Sequence, residues 1–278
     1  MPSASLDLLN PWEQARAALA ESDPATKCRR VAALWERVVD GRWRPSDPGE
    51  PGLLPCGRPG RPIMVAPGRL PRRSLGSVEG RQALIHAVAH IEFNAINLGL
   101  DAALRFPGMP DDYYRDWLSV AADEARHFSM LNGRLAELGL NYGDLPAHNG
   151  LWDMAERTAH DPLVRMALVP RVLEARGLDV TPGMIEKLSA VGDEQTVALL
   201  QVILEEEEAH VAIGSRWFRH LCKLRGVEPE STFRRLLEDY FNGTLRGPFN
   251  LDARRRAGFS QTEIDRLVAM DAQGKGAA

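Results

Sequence analysis

Cysteine is scarce in this chain of 278 residues: three copies (Cys28, Cys56 and Cys222), widely spaced, with no Cys-x-x-Cys pair. That excludes a disulfide framework and a thiolate metal site, and it fits a reducing compartment. Lysine is also rare, 4 against 30 arginines, a bias that reads as GC-rich coding rather than chemistry. No apolar run approaches the length of a membrane span, and the opening MPSASLDLLN lacks the basic-then-apolar pattern of a signal peptide. The expectation is a cytoplasmic protein with no membrane partner. Neither sign of charge dominates, with 34 Lys+Arg against 38 Asp+Glu and a net charge of −4. A general nucleic-acid-binding surface is therefore not expected, although a local basic patch is not excluded. What remains, 44% hydrophobic and 26% charged residues, is the composition of an ordinary globular protein long enough for one large domain or two smaller ones.

Strand-like alternation is nearly absent, and helical spacing dominates. Residues 1–43 form an N-terminal helical extension, with one or two amphipathic helices over 11–43 carried by Trp12, Ala15, Leu19 and then Val31, Leu34, Trp35, Val38. Residues 44–73 hold eight prolines and five glycines, too many for any regular element. Leu53, Leu54, Ile63, Met64, Val65 and Leu70 would have nothing to cover in a free tether, so an ordered strap is expected. Residues 74–226 read as four long helices, and 227–278 as a C-terminal helical extension and polar tail. The first long helix runs from about Val78 to Phe106 and stops before FPGMP. The second follows Pro110, with Asp111 or Asp112 as cap, and reaches about Leu138, where Gly139 ends it. After the loop NYGDLPAHNG, Asp161-Pro162 starts the third, which ends near Gly177 with a kink at Pro170. Thr181-Pro182 opens a short helix, and Asp193 starts the fourth, to about Leu224. One helical segment at about 230–241, an irregular GTLRGPFNLD stretch, a short helix and the ending GKGAA complete the chain. The fold expected is all-α, a four-helix bundle with extra N- and C-terminal helices and a Pro-rich strap.

Two Glu-x-x-His motifs carry the chemistry: Glu124–His127 and Glu207–His210. Three positions apart on a helix share a face, so each pair can aim a carboxylate and an imidazole at one point. About 0.5 such matches would arise by chance from the Glu and His content, so context decides. Each pair interrupts an apolar stripe: Trp117, Val120, Glu124, His127, Leu131 in one helix, and Leu200, Ile203, Glu207, His210, Gly214, Trp217 in the other. Charge inside a core stripe is costly without a compensating cation. Among Glu205 to Glu208, only Glu207 lies in both the stripe and the motif; the plainer alternative is a solvated acidic face. Each motif is also preceded by a Glu among apolar neighbours on the previous long helix, Glu92 before Glu124 by 32 positions and Glu174 before Glu207 by 33. Four carboxylates and two imidazoles form the ligand set of a di-iron or di-manganese site in a helical bundle, with Fe ahead of Mn or a mixed Fe/Mn pair for hard oxygen and borderline nitrogen donors. Four bound carboxylates would balance two divalent ions.

Other residues carry weaker signals. His90 cannot share the face of Glu92, while His86 lies roughly 120° from it. Both read first as core or capping histidines and second as hydrogen-bond partners of a ligand carboxylate. Asp123 could orient a ligand histidine, and Arg126, Arg171 and Arg176 could neutralise acids beside the ligands; surface roles are the alternative. Tyr113, Tyr114 and Tyr142 are not demanded by spacing, Arg254-Arg255-Arg256 reads as a solvated basic face, and His148, His160 and His220 as non-ligands.

The segments GRQALIHAVAHIEFNAINLGLDAALRF, DWLSVAADEARHFSMLNGRL, YGDLPAHNGLWD, VPRVLEARGLDVTP, EEEEAHVAIGSRWF and GPFNLDARRRAGF, between about Arg61 and Phe259, resemble a bacterial ferritin-like family of unknown function. The wider superfamily includes ferritins and di-iron tRNA hydroxylases. The resemblance implies a ferritin-like four-helix bundle whose dimetal ligands are Glu92, Glu124, His127, Glu174, Glu207 and His210. It implies no activity of its own. The leading expectation is an O2- or peroxide-dependent oxidoreductase, such as a hydroxylase or monooxygenase, acting on a small-molecule or tRNA-like substrate with an external electron donor. The alternatives are a metal-binding or iron-handling protein without turnover and a scaffold with a structural dimetal site. A homodimer is left open.

Overall fold

A computed structural model describes residues 10–70, 74–241, 243 and 245–276, with side chains to Met270. The outermost parts of the N-terminal extension, the end of the strap (Pro71–Arg73) and the last two tail residues lie outside the described residues. Regular structure among the described residues is helical. The chain forms two compact units, Met1–Asp153 and Met154–Ala278, so the division falls inside the segment 74–226.

In the first unit, α1 (Pro11–Ala20) opens on a capping box formed by Asn10 and Glu13, and α2 (Pro24–Val39) is capped by Asp23, which accepts from the Thr26 amide. Helices α3 (Val78–Arg105) and α4 (Asp111–Glu137) pack together along their length, with α1 against α3 and α2 against α4. The close approach of α3 and α4 depends on Gly99, where a Cβ would lie 2.9 Å from both Ala121 Cβ and the Trp117 carbonyl oxygen. Pro110, not Asp111 or Asp112, occupies the cap position of α4 and offers no side-chain bond. The two aspartates sit in the first turn, where they complement the positive end of the helix instead. Contrary to the sequence expectation, α3 is long and apolar enough by length and composition to span a bilayer; 72% of its apolar stretch is buried inside the protein, which accounts for that composition. Lys27 of α2 is fully buried, donating to the Ala18 and Leu19 carbonyls at 3.0 and 2.8 Å and to Asn97 Oδ1 at 2.6 Å.

The strap is ordered over its described length but is not held by the apolar residues that motivated the expectation. Leu53 is 90% exposed and Ile63 63%. Its anchors are mostly polar: Arg16 donates to the Pro51 carbonyl, the Gly57 amide to the Leu19 carbonyl, Arg58 to Asn149 Oδ1, and Asp47 accepts from the Gly108 amide. A single bridge between Met64 and Ala147 completes the attachment. Proline-rich backbone has few donors to satisfy, so a handful of bonds is enough to seat it.

Helix α5 (Gly150–Arg157), unanticipated from sequence, crosses the division between units. The second unit continues with α6 (Pro162–Leu168), a π-helical turn (Val169–Glu174), α7 (Ala175–Ser189) and α8 (Glu194–Arg225). The irregularity expected at Pro170 is this π turn; a proline that cannot donate displaces the regular ladder. Gly214 of α8 accommodates it, since a Cβ there would lie 2.3 Å from Pro170 Cβ and Cγ. The expected break before Thr181-Pro182 does not occur: α7 runs through Gly177 and Pro182 to Ser189. Proline at 182 leaves the Leu178 carbonyl without its helical donor, and Asn250 Nδ2 supplies one at 3.3 Å. Helix α9 (Pro229–Phe241) packs on α6 and α8; α10 (Leu251–Arg256) packs on α7 and α8, and α11 (Gln261–Gly276) follows. The Arg254–Arg256 run is not uniformly solvated. Arg254 is 1% exposed and forks onto Asp179 at 2.9 and 2.7 Å, because only one of three consecutive helical positions can face the core.

Candidate metal centre

In the first unit the Gly99 contact holds α3 and α4 together two turns from Glu92. Glu92 then meets Glu124 and His127 across the helix pair. His127 Nδ1 lies 3.4 Å from Glu92 Oε2 and 3.4 Å from Glu124 Oε2. A ligand-capable atom from each of the three lies within 4.8 Å of the others. Glu92 is 3% exposed, and Glu124 and His127 are fully buried. Glu92 Oε2 is buried without a hydrogen-bond partner. Only the His127 ring nitrogen, at 3.4 Å, stands near this oxygen, so a divalent cation would compensate it more fully.

The electrostatics follow from the same crowding. Burial and then the neighbouring Glu124 carboxylate push the Glu92 carboxyl up to about 8. At His127 burial acts downward, but hydrogen bonding and attraction from Glu124 and Glu92 outweigh it and raise the imidazole to about 11. Both shifts run the same way, so the metal-free cluster holds its protons to higher pH than isolated groups would. A divalent ion would compete with those protons for the same donor atoms.

In the second unit, Glu207 and His210 sit together on α8, with His210 Nδ1 3.6 Å from Glu207 Oε1. Glu207 Oε2 is also buried without a hydrogen-bond partner. Glu174 closes the π turn and is 7% exposed. Both units therefore bury the donor types the sequence pattern singled out. The glycines had a signal in the sequence too: Gly99 and Gly214 each follow a stripe glutamate by seven positions.

The other candidates sit elsewhere. His86 Nε2 accepts from the Gly143 amide at 3.0 Å. His90 contacts the Tyr142 hydroxyl at 2.9 Å, the His148 carbonyl at 3.2 Å and Asn94 Nδ2 at 3.0 Å. Burial lowers the His90 imidazole to about 4, so it is neutral. Both histidines brace the Tyr142 loop against α3 rather than a ligand carboxylate; two residues along a helix turn a side chain by about 200°. Asp123 and Arg126 form an ion pair at 3.3 Å with both side chains about two-fifths exposed. That placement gives the outer face of α4, not a position beside the ligands. Arg176 donates to the carbonyls of Arg246 and Pro248 and pairs with Asp179. Tyr113 and Tyr114 donate to the carbonyls of Ala102 and Phe106. Of the histidines read as non-ligands, His148 accepts from the Gly150 amide and His220 stacks edge-on to Trp217.

Fold and site define an all-α protein with two buried glutamate–histidine sets. The chain belongs to the family described as "Protein of unknown function (DUF455)", which matches residues 20–265. A protein of Haemophilus influenzae described as "Uncharacterized protein" is 44% identical over 271 residues, covering 94% of each chain. No solved structure matches the chain significantly.

Proposed function

We propose that this protein is a ferritin-like dimetal carboxylate protein whose metal ligands are Glu92, Glu124, His127, Glu174, Glu207 and His210, and that it acts as an O2- or peroxide-dependent oxidoreductase. The observation that carries the reading is the Glu92–Glu124–His127 cluster itself, two buried carboxylates and an imidazole whose ligand atoms lie within 4.8 Å of one another. The matching donors Glu174, Glu207 and His210, in the same order along the chain, support two bound ions rather than one. Two such ions, when bound, supply reversible electron transfer to O2 or peroxide. The residues hold the ions by oxygen and nitrogen donors, which favours iron over manganese or a mixed pair, and exclude water by their burial. Three free cysteines fit a cytoplasmic location.

Anaerobic titration with Fe(II) tests the centre: about two ions per chain are expected. Glu124→Ala and Glu207→Ala should each lower that number. If the wild-type chain binds no metal and Glu124→Ala leaves its melting unchanged, the reading is wrong. Repeated O2 consumption by the two-iron protein in the presence of excess chemical reductant separates turnover from storage, which would instead accumulate many irons per chain.

A further inference from the structure

Arg171 lies on the π turn, between Pro170 and Glu174, and is 2% exposed. Its Nη2 donates to Glu263 Oε1 of α11 at 2.7 Å and its Nε to Ser215 Oγ of α8 at 3.2 Å. The guanidinium carbon lies 4.7, 4.4 and 4.5 Å from the ring centroids of Phe218, Phe233 and Phe259. Nη1 has no hydrogen-bond acceptor, so aromatic faces stand in for water there. Burying this charge is costly until its partners compensate it, and an apolar side chain would fill the same space at less cost. What the arginine adds is direction: a planar fork with fixed partners fixes the rotation of the segment that carries it. Pro170 is seated on Gly214 immediately before it, and Glu174 follows three residues later. A π turn has one residue more than an α turn, and slipping back to α geometry would swing Glu174 by about 100°.

We propose that Arg171 and Glu263 form a latch through which the C-terminal helix α11 sets the direction of Glu174, making Arg171 a positioning residue and the C-terminal extension part of the scaffold of the metal centre. This rests on the dimetal reading for its consequence, but not for the latch itself. The Arg254–Asp179 fork braces α7 just beyond the turn and shares the Phe259 ring, with its guanidinium carbon 5.0 Å from the centroid.

The test compares full-length wild type, Glu263→Gln, Phe259→Leu and Arg225→Ala. The last breaks a surface fork to Asp161 in the same unit, away from the π turn, and controls for general destabilisation. Hydrogen exchange of the metal-free proteins should be about tenfold faster over residues 169–175 in Glu263→Gln and Phe259→Leu, and unchanged in Arg225→Ala. With Co(II) as the probe, the two latch variants should bind one of two ions about 10- to 100-fold more weakly, with a changed visible spectrum for that ion. Unchanged exchange in the latch variants, or an equal change in Arg225→Ala, overturns the latch. Normal Co(II) binding despite fast exchange overturns the positioning role. If wild type binds no Co(II) while the exchange difference persists, the dimetal reading fails and the positioning role falls with it, but the latch stands. Phe259→Leu carries the test should Glu263→Gln not fold.

Discussion

Glu92 and His127 tie the pH dependence of stability to the candidate site. The folded state raises the Glu92 carboxyl to about 8, so between its ordinary range and that value the native protein keeps a proton the unfolded chain has lost. Stability therefore falls as pH rises through this window. His127 acts in the same direction: its contribution is fully present below the ordinary histidine value and is lost as pH rises towards about 11. The metal-free protein should thus lose stability from pH 5 to pH 9, while metal affinity rises as the ligands deprotonate. Glu92→Gln removes one of two crowded carboxylates. In urea unfolding at pH 8 it should stabilise the metal-free protein by about 1–3 kcal/mol, with little effect at pH 5, and it should weaken metal binding. A destabilised metal-free Glu92→Gln at pH 8 would count against the crowding described. The burial of the stripe glutamates was legible in the sequence because helical periodicity places residues by angle. Arg254 was not, because three identical residues carry no mark of which one turns inward. Arg171 was not either, since its partners stand 44 and 92 positions away.

Helix geometry around the π turn depends on a glycine. Gly214→Ala would gain helix propensity but drive a methyl group into Pro170, with an expected net loss of about 1–3 kcal/mol. Gly177→Ala and Gly183→Ala, in α7 with open space around the added carbon, should instead stabilise by about 0.5–1 kcal/mol. Chemical denaturation of the three variants checks the contrast. A neutral Gly214→Ala would mean that the turn can move away from α8. Most helix limits followed from caps and breakers: Asp161 and Asp193 each cap the helix they were expected to start. Pro182 misled because the carbonyl it deprives is satisfied by Asn250, 72 positions away, which no local rule can see. Helix α5 was missed because eight residues beside a glycine-rich loop give too short a period to read.

Across the whole molecule, the extensions carry more of the architecture than their composition implies. The strap is seated by backbone and polar contacts on either side of an exposed tip at Leu53. Subtilisin should therefore nick the native protein first near Leu53, while residues 57–66 resist. Fast cleavage throughout that stretch would contradict the anchoring. The strap's order was foreseeable from its apolar content, yet the contacts that provide it are of another kind: proline-rich backbone exposes carbonyls, and neighbouring arginines take them. The C-terminal extension repeats the pattern, docking through Arg176, Asn250 and Arg254 rather than through an apolar face alone.

Lys27 offers a use of its own. Its ammonium is fully enclosed, with all three protons donated, so acylating reagents do not reach it while the fold is closed. Lys187 and Lys223 are exposed and should be labelled within the mixing time. Lys27 can react only when α1 and α2 lift from α3. The mass-spectrometric rate of acetylation at this one position is then a clock for how often the N-terminal extension opens, readable in a mixture and without an introduced probe. A Lys27 rate equal to that of Lys223 would show the extension to be loosely held.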